Sequence, residues 1–453
     1  MNWSKYNYEF ESDKYGAMLY NSFSNSFIRI TPEIKLQLQK IKDNPEELSF
    51  CSDKLQKIII DMKILVNETS EDLINTIKLN SFLNKSSSKS KGFTIAPTLD
   101  CNFKCEYCFE ISKGNNKPKY MSLQVENAIA KSIISDYSAN KCKYSISWYG
   151  GEPLLAMDSI ERITNELINN SVDFSASMVT NGYLLNKENI EKIKQFKISF
   201  IQVTIDGDKE EHNKKRAHKT NADSYEMVIS NIDSFYKETE DINLSIRINI
   251  DKANYENYHK YVKELSERFP KAHIYPALVT DFGGSEGCYD SESCALNKKE
   301  EIAFYLSQYE NHNNTNFNFF PHLTGITSCA ATNLYGWVIG PEGDLYKCWN
   351  DIGDENKCIG NIKDNKITNI TLLGRYLVGV NPTDDKMCKE CFYLPICGGG
   401  CPYQRLENKY FDKKIDCCVI QKGKTLERFL EIQYEISKKN SEKISEDAVN
   451  SNT

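Results

Sequence analysis

Residues 92–110 read GFTIAPTLDCNFKCEYCFE. The apolar run at 93–97 has strand composition, short and rich in aromatic and β-branched side chains. It leads directly into Cys101, Cys105 and Cys108, spaced C-x3-C-x2-C. Ligands of α/β folds gather at the carboxyl ends of strands, so cysteines placed there suit chemistry. Five similar runs follow at 144–148, 175–179, 200–205, 244–250 and 274–279, separated by stretches of helical spacing. Alternating strands and helices predict right-handed βαβ units and a parallel sheet. Six units can close into an incomplete barrel or lie open as a doubly wound sheet, and periodicity leaves both open.

The flanks read differently. In the first 83 residues, alternation at Tyr6, Tyr8 and Phe10 gives way to helical spacing at Ile34, Leu36, Leu38 and Ile41, then at Leu55, Ile58, Ile59 and Met62. That predicts a small N-terminal α+β domain. Residues 84–92, NKSSSKSKG, have linker composition. After residue 285 the pattern turns loop-rich and cysteine-rich, and the charged end, residues 437–453, is expected to be disordered.

The chain has 453 residues, 16 cysteines and a net charge of -7. An acidic balance argues against nucleic acid and anionic membranes as partners. No apolar stretch reaches the roughly 20 residues of a membrane span, and the N-terminus lacks a signal-peptide pattern. A cytoplasmic chain is expected, where cysteines serve metals or chemistry more often than disulfides. Three thiolates suffice for three irons of a [4Fe–4S] cluster and leave the fourth iron open to a chelating ligand. A zinc site completed by a distant ligand is the competing reading.

The C-x3-C-x2-C run after a first strand resembles the radical S-adenosylmethionine (radical SAM) family, whose members share a partial (β/α)6 barrel. Other residues agree, each at a strand end. Trp148-Tyr149-Gly150-Gly151-Glu152-Pro153 is similar to the family's GGEP segment, which holds the methionine amino group. Thr180-Asn181-Gly182 follows the third strand; Thr204-Ile205-Asp206-Gly207 follows the fourth, with His212 and Arg216 soon after; Arg247 and Asn249 lie on the fifth. The resemblance spans roughly residues 92–425. It implies that Cys101, Cys105 and Cys108 hold the catalytic cluster. It also implies that Phe109, Gly150, Gly151, Glu152, Asn181, Thr204, Asp206, Arg216, Arg247 and Asn249 contact S-adenosylmethionine, which is cleaved reductively to a 5′-deoxyadenosyl radical.

Further on, Cys329-x13-Gly343-x4-Cys348 precedes Cys388, Cys391, Cys397 and Cys401, spaced C-x2-C-x5-C-x3-C. This is similar to the SPASM extension of radical SAM peptide and protein modifiers, which carries two auxiliary [4Fe–4S] clusters, three in all. The resemblance assigns Cys388, Cys391, Cys397 and a late cysteine to one of them. Cys418 is favoured over Cys417 because Lys422 lies four residues beyond it. The other takes Cys329, Cys348 and Cys401, and its fourth ligand is Cys288, Cys294 or none. Cys51, Cys142, Cys358 and Cys417 read as buried small hydrophobes. Expected divisions are 1–83, a linker at 84–92, the barrel at 93–284, a bridge at 285–325, the auxiliary-cluster domain at 326–425 and a helix plus tail at 426–453.

Two substrate classes fit. Peptide maturases act on a ribosomal precursor peptide with a leader, and the residues ahead of the barrel suit a leader-recognition domain that binds by strand addition. Sulfatase maturases oxidise a Cys or Ser to formylglycine and place an Asp base directly after the second SPASM cysteine. Here Trp349 follows Cys348, and the nearest acid is Asp351. A thioether-forming peptide maturase, fed electrons by a flavodoxin or ferredoxin, is therefore the expectation. A sulfatase-type maturase is the alternative, and an electron-transfer or zinc-scaffold protein the non-enzymatic one.

Overall fold

The structure, a computed structural model, describes residues 1–453 except 106, 109, 111–119, 280–294, 315–328, 419–423 and 451–453, with backbone alone at 424 and 440–450. The N-terminal part opens with β1 (Asn2–Trp3), β2 (Asn7–Ser12), β3 (Gly16–Asn21) and β4 (Ser26–Arg29), and β5 (Leu65–Val66) later pairs with β1. β2, β3 and β4 form an antiparallel sheet with β3 central. The helix Pro32–Asp43 is capped by Thr31 and Ser70–Ser86 by a Thr69/Asp72 capping box, each satisfying otherwise orphaned amides. Ala17 and Leu19 of β3 pack on Leu38 and Ile41 of the first of these helices and on Ile59 of the helix Asp53–Asp61. The other face, Met18 and Tyr20 with Phe10, packs on Tyr393, Ile396, Leu426 and Leu430 from the far end of the chain. Both faces are therefore covered, and the N-terminal unit is joined to the cysteine-rich region by apolar burial.

Six parallel strands follow in chain order: β6 (Ser90–Ile95), β7 (Lys143–Trp148), β8 (Phe174–Thr180), β9 (Ile198–Ile205), β10 (Asn243–Ile250) and β11 (His273–Leu278). Each overlaps a predicted run, the ends moving by three residues at most. Helices cover the sheet and leave Ile146, Trp148, Ile201, Val203, Ile246 and Ile248 with no exposure, each worth about 1.5–3 kcal/mol of burial. The result is the α/β partial barrel, strand tips at one end. β12 (Gly336–Ile339) joins the other side of β6 in parallel. β13 (Asp344–Tyr346), β14 (Gly360–Asn361) and β15 (Lys366–Ile367) extend the sheet antiparallel. The barrel sheet thus continues into the cysteine-rich region.

Three features differ from the sequence reading. The residues at 84–92 are not all linker: the helix runs to Ser86 and β6 starts at Ser90, whose backbone registers with Lys143. The bridge at 285–325 contains the helix Lys298–His312, held by an Asn297/Glu300 capping box and packed through Phe304 and Tyr309. The terminal helix Lys424–Asn450 runs through most of the stretch expected to be disordered. Phe429, Leu430 and Ile432 anchor its beginning, no Gly or Pro interrupts it, and a nucleated helix propagates cheaply.

Candidate active site

The cysteine loop after β6 is held from three directions. From β7, Gly151 N donates to Thr98 O (3.2 Å) and Glu152 N to Asp100 O (2.8 Å). The glycines permit this contact. A Cβ on Gly150, whose φ is +110°, would lie 2.3 Å from Thr98 O, and one on Gly151 would lie 2.1 Å from Asp100 O. From beyond β9, Lys104 N donates to Ala217 O and Lys219 N to Asn102 O, both at 2.8 Å. From below, Phe103 is buried against Tyr183 and His218, which stack on each other at 4.0 Å.

Asn181 Nδ2 lies 3.7 Å from Cys101 Sγ and donates to Asn102 Oδ1 at 2.7 Å. Burial, helped by Glu152, Cys105 and Cys108, pushes the Cys101 thiol up. Burial also raises Cys105, with Arg216 opposing. Gathered thiols that resist ionisation suit a bound cationic centre that would supply the missing positive charge. Glu152 is fully buried. Its Oε1 accepts from Leu154 N (3.0 Å) and Thr180 Oγ1 (2.7 Å), its Oε2 from Asn181 N (2.8 Å). The carboxylate therefore ties β7 to β8, with acceptor capacity on Oε2 still open to an ammonium.

Tyr107, between the second and third cysteines, organises the rest. Its hydroxyl donates to Asp206 Oδ2 and accepts from Arg216 (2.7 Å) and Asn249 Nδ2 (3.0 Å). Arg247 Nε in turn donates to Asn249 Oδ1 at 2.9 Å. So β10 and the segment after β9 converge on one phenol, and Thr204 is buried near the end of β9. Sequence reading passed Tyr107 over, although an aromatic residue inside a metal-binding loop was the available signal. Asp206 Oδ1, His212 Nε2 and Arg216 Nε are buried without a hydrogen-bond partner among the described residues. Buried polar groups are seldom left so, and this unused capacity fits the ribose and carboxylate of a nucleoside–amino-acid cofactor. Burial raises the Asp206 carboxyl and lowers His212 well below its usual range, leaving a neutral imidazole whose Nδ1 accepts from Asp206 N (3.3 Å).

By spacing, the C-terminal thiols belong to two sets. Cys329 and Cys401 both add to the burial that raises Cys348. Beside them Lys347 is buried, donates to Asn333 O (2.5 Å) and to Gly336 O, and is pulled down by burial to about 7. In the second group Arg405 reaches Cys388 Sγ at 3.4 Å and Asp385 at 3.2 Å. Cys418 lies within the electrostatic reach of Cys397 and Cys388, and Cys391 and Cys397 pack in the same apolar cluster. Trp349 is half-exposed and stacks on Tyr149 at 5.6 Å and 16°, which brings β7 against the turn after Cys348. Asp351 is buried and accepts from Tyr376 at 2.6 Å. Phe109, Cys288, Cys294 and Lys422 lie outside the described residues.

Residues 95–270 match the model of the radical SAM superfamily. This segment is a radical SAM domain. Thr204 lies on β9 and Arg247 and Asn249 on β10, while Gly150, Gly151, Glu152, Asn181, Asp206 and Arg216 follow strand ends. A cysteine-type anaerobic sulfatase-maturating enzyme of Clostridium novyi is 23% identical over 340 residues, 69% of this chain and 88% of the relative. The structure of anSMEcpe with bound S-adenosylmethionine and the Cp18Cys peptide superposes with a TM-score of 0.53 at 20% identity, over 71% of this chain and 97% of its own. Streptococcus suis SuiB bound to its precursor peptide SuiA superposes with a TM-score of 0.53 at 18% identity, over 92% of this chain and 100% of its own. S-adenosylmethionine and a [4Fe–4S] cluster are the cofactors of radical SAM enzymes, and the chain is an enzyme that carries a radical SAM domain at residues 95–270. Among the described residues no helix is long and apolar enough to cross a membrane.

Proposed function

We propose that this radical SAM enzyme matures a Cys-containing, ribosomally made precursor peptide by joining the Cys sulfur to a carbon of the same peptide as a thioether. The observation that carries this reading stands beside Cys348. The position where a sulfatase maturase keeps its base is Trp349, and the nearest acid, Asp351, is buried and bonded to Tyr376. A general base must reach the proton it takes, and Asp351 faces inward. The N-terminal sheet supports the reading as well. Its edge strands are β2 and β4, and an edge is where an extended leader peptide adds by backbone hydrogen bonds. SuiB, whose fold matches nearly the whole chain, is solved with a precursor peptide.

When bound, the cluster and S-adenosylmethionine supply the 5′-deoxyadenosyl radical that abstracts hydrogen. The chain's own part is to hold and orient. Cys101, Cys105 and Cys108 carry the cluster, and the Gly150–Gly151 turn presses their loop into place. Glu152, Asn181, Thr204, Asp206, Arg216, Arg247 and Asn249 line the cofactor's polar groups. Cys329, Cys348 and Cys401, and Cys388, Cys391, Cys397 and Cys418, carry two auxiliary clusters. A flavodoxin or ferredoxin delivers electrons.

A sulfatase-type activity is the second reading, favoured by similarity to sulfatase-maturating enzymes along about two thirds of the chain. The test is 5′-deoxyadenosine release by reduced holoenzyme in the presence of either peptide class. A Cys-containing precursor encoded beside this chain should stimulate release. Stimulation by a sulfatase-motif peptide alone favours the second reading.

A further inference from the structure

Two of the donors that meet at the Tyr107 hydroxyl come from separate segments. Arg216 ends the short helix Lys209–Lys215, and Asn249 lies on β10. A buried ion pair stands one residue from the first and two from the second. Lys215 Nζ lies 2.8 Å from Asp251 Oδ1, 2.7 Å from Asp251 Oδ2 and 2.8 Å from Glu211 Oε1. An ammonium has three N–H donors, so these contacts use them fully. The side chains of Lys215 and Asp251 are 6% and 4% exposed.

Both ends of the pair are braced toward the cofactor site. Asp251 Oδ1 accepts from Ala253 N, and Asp251 N donates to Asn254 Oδ1, each at 2.9 Å. Asn254 Nδ2 then donates to Asn249 O (2.9 Å), which fixes the backbone behind the Asn249 side chain. On the helix side, Arg216 N donates to His212 O (2.7 Å), and Glu211 Oε2 accepts from Tyr261 (3.3 Å). Lys and Asp are seldom buried this deeply unless paired. Desolvation cancels much of the attraction in such a pair, so it adds little stability, yet its bonds admit one arrangement of the segments that carry it.

We propose that Lys215 is a positioning residue for S-adenosylmethionine. Through Asp251 it docks the helix that carries His212, with Arg216 at its end, onto the tip of β10. Arg216 and Asn249 thereby stand at their working separation before the cofactor arrives. The inference rests on the reading of Arg216 and Asn249 as cofactor contacts, and it is independent of the peptide that is modified. Without the tether the two segments hold that separation only part of the time, and the apparent affinity falls by the same fraction. Cofactor that does bind completes the arrangement and is cleaved at the usual rate, so the loss falls on KM and not on kcat.

The test compares wild type with Lys215→Met and with the double variant Lys215→Met/Asp251→Leu, which leaves neither charge of the pair buried alone. Dithionite-driven S-adenosylmethionine cleavage by holoenzyme, without peptide, gives KM and kcat. Denaturant unfolding and hydrogen exchange of the cluster-free full chain give stability and local order. The double variant should unfold like wild type. Its KM should rise at least about tenfold with kcat within about twofold, and the amides of His212 and Arg216 should exchange faster than in wild type. Asp251→Asn keeps an acceptor for Ala253 N and for Lys215, so its KM should lie between the two. If Lys215→Met alone fails to fold, the double variant carries the test. A wild-type KM in the double variant overturns the proposal. So does a kcat that falls in step with iron content at unchanged KM, which marks a merely structural role, or unchanged exchange at His212 and Arg216. Arg216→Gln separates the two levels. If it too leaves KM unchanged, the cofactor-site reading fails; if it raises KM while the double variant does not, the positioning role alone fails.

Discussion

Replacing Gly151 by alanine should disable the catalytic cluster and spare the auxiliary ones. The φ of Gly151 is not positive, so alanine meets no backbone strain there. What it meets is backbone: the new Cβ would lie 2.1 Å from Asp100 O, 2.6 Å from Asp100 C and 2.7 Å from Leu99 O. No flexible side chain can swing aside. Overpacking of this kind costs about 1–3 kcal/mol. Moving the loop away instead gives up the Gly151–Thr98 and Glu152–Asp100 backbone bonds, about 1 kcal/mol each. Either route costs about 2 kcal/mol, roughly a thirtyfold bias against the loop position that carries Cys101. Anaerobic iron and sulfide determination should give about eight irons where wild type gives about twelve, and dithionite-driven S-adenosylmethionine cleavage should fall at least tenfold. Gly92→Ala is the control, since a Cβ there has nothing within 4 Å. If Gly151→Ala matches Gly92→Ala in iron content and cleavage, the turn does not hold the cysteine loop.

Other expectations follow from the same geometry. Tyr107→Phe removes the hydroxyl shared by Asp206, Arg216 and Asn249; it should cost about 1–3 kcal/mol of stability and weaken S-adenosylmethionine binding, read by calorimetry, with unchanged affinity counting against the hub. Burial holds His212 below its usual range, so the unfolded chain takes up a proton that the native one refuses. That contribution is complete above about pH 6.5 and is lost as pH falls, by up to about 1.4 kcal/mol per unit. The raised carboxyls of Glu152 and Asp206 act in the opposite sense, so the readout is the slope difference between wild type and His212→Gln in denaturant unfolding. Asp351→Asn keeps an acceptor for Tyr376 and should leave peptide modification within a few fold of wild type; a loss of about 100-fold or more would make Asp351 a general base.

The barrel was legible because its strands are rich in β-branched and aromatic residues, β7 and β8 alternating and β10 buried on both faces over most of its length. Ile246 and Ile248 have no exposure, and the run at 244–250 was found within one residue. The N-terminal sheet was half legible for a related reason. β2 alternates, but every residue of β3 from Ala17 to Asn21 is buried, which erases the period of two. The helix Lys298–His312 was missed although its Asn297/Glu300 box is written in the sequence, because glycines and cysteines just upstream suggested loop throughout. At the site, the cysteine spacing and the glycine pair were plain. The burial of Asp351 under Tyr376, the Tyr149–Trp349 stack and the Lys215–Asp251 ion pair were not. Those contacts are made by chain that returns from 25 to 200 residues away, and spacing carries no trace of them.

On the proposed reading the enzyme acts on the Cys of a precursor peptide and keeps its sulfur. The direct test is the mass and fragmentation of a Cys-containing precursor peptide after anaerobic incubation with the reduced holoenzyme and S-adenosylmethionine. The account predicts loss of two hydrogen atoms, retained sulfur and a backbone fragmentation gap bridged from the Cys. One hydrogen leaves in 5′-deoxyadenosine; the other leaves as a thiol proton, with its electron passed to an auxiliary cluster. A product in which sulfur has been exchanged for an aldehyde oxygen contradicts it and makes the enzyme a formylglycine-generating maturase.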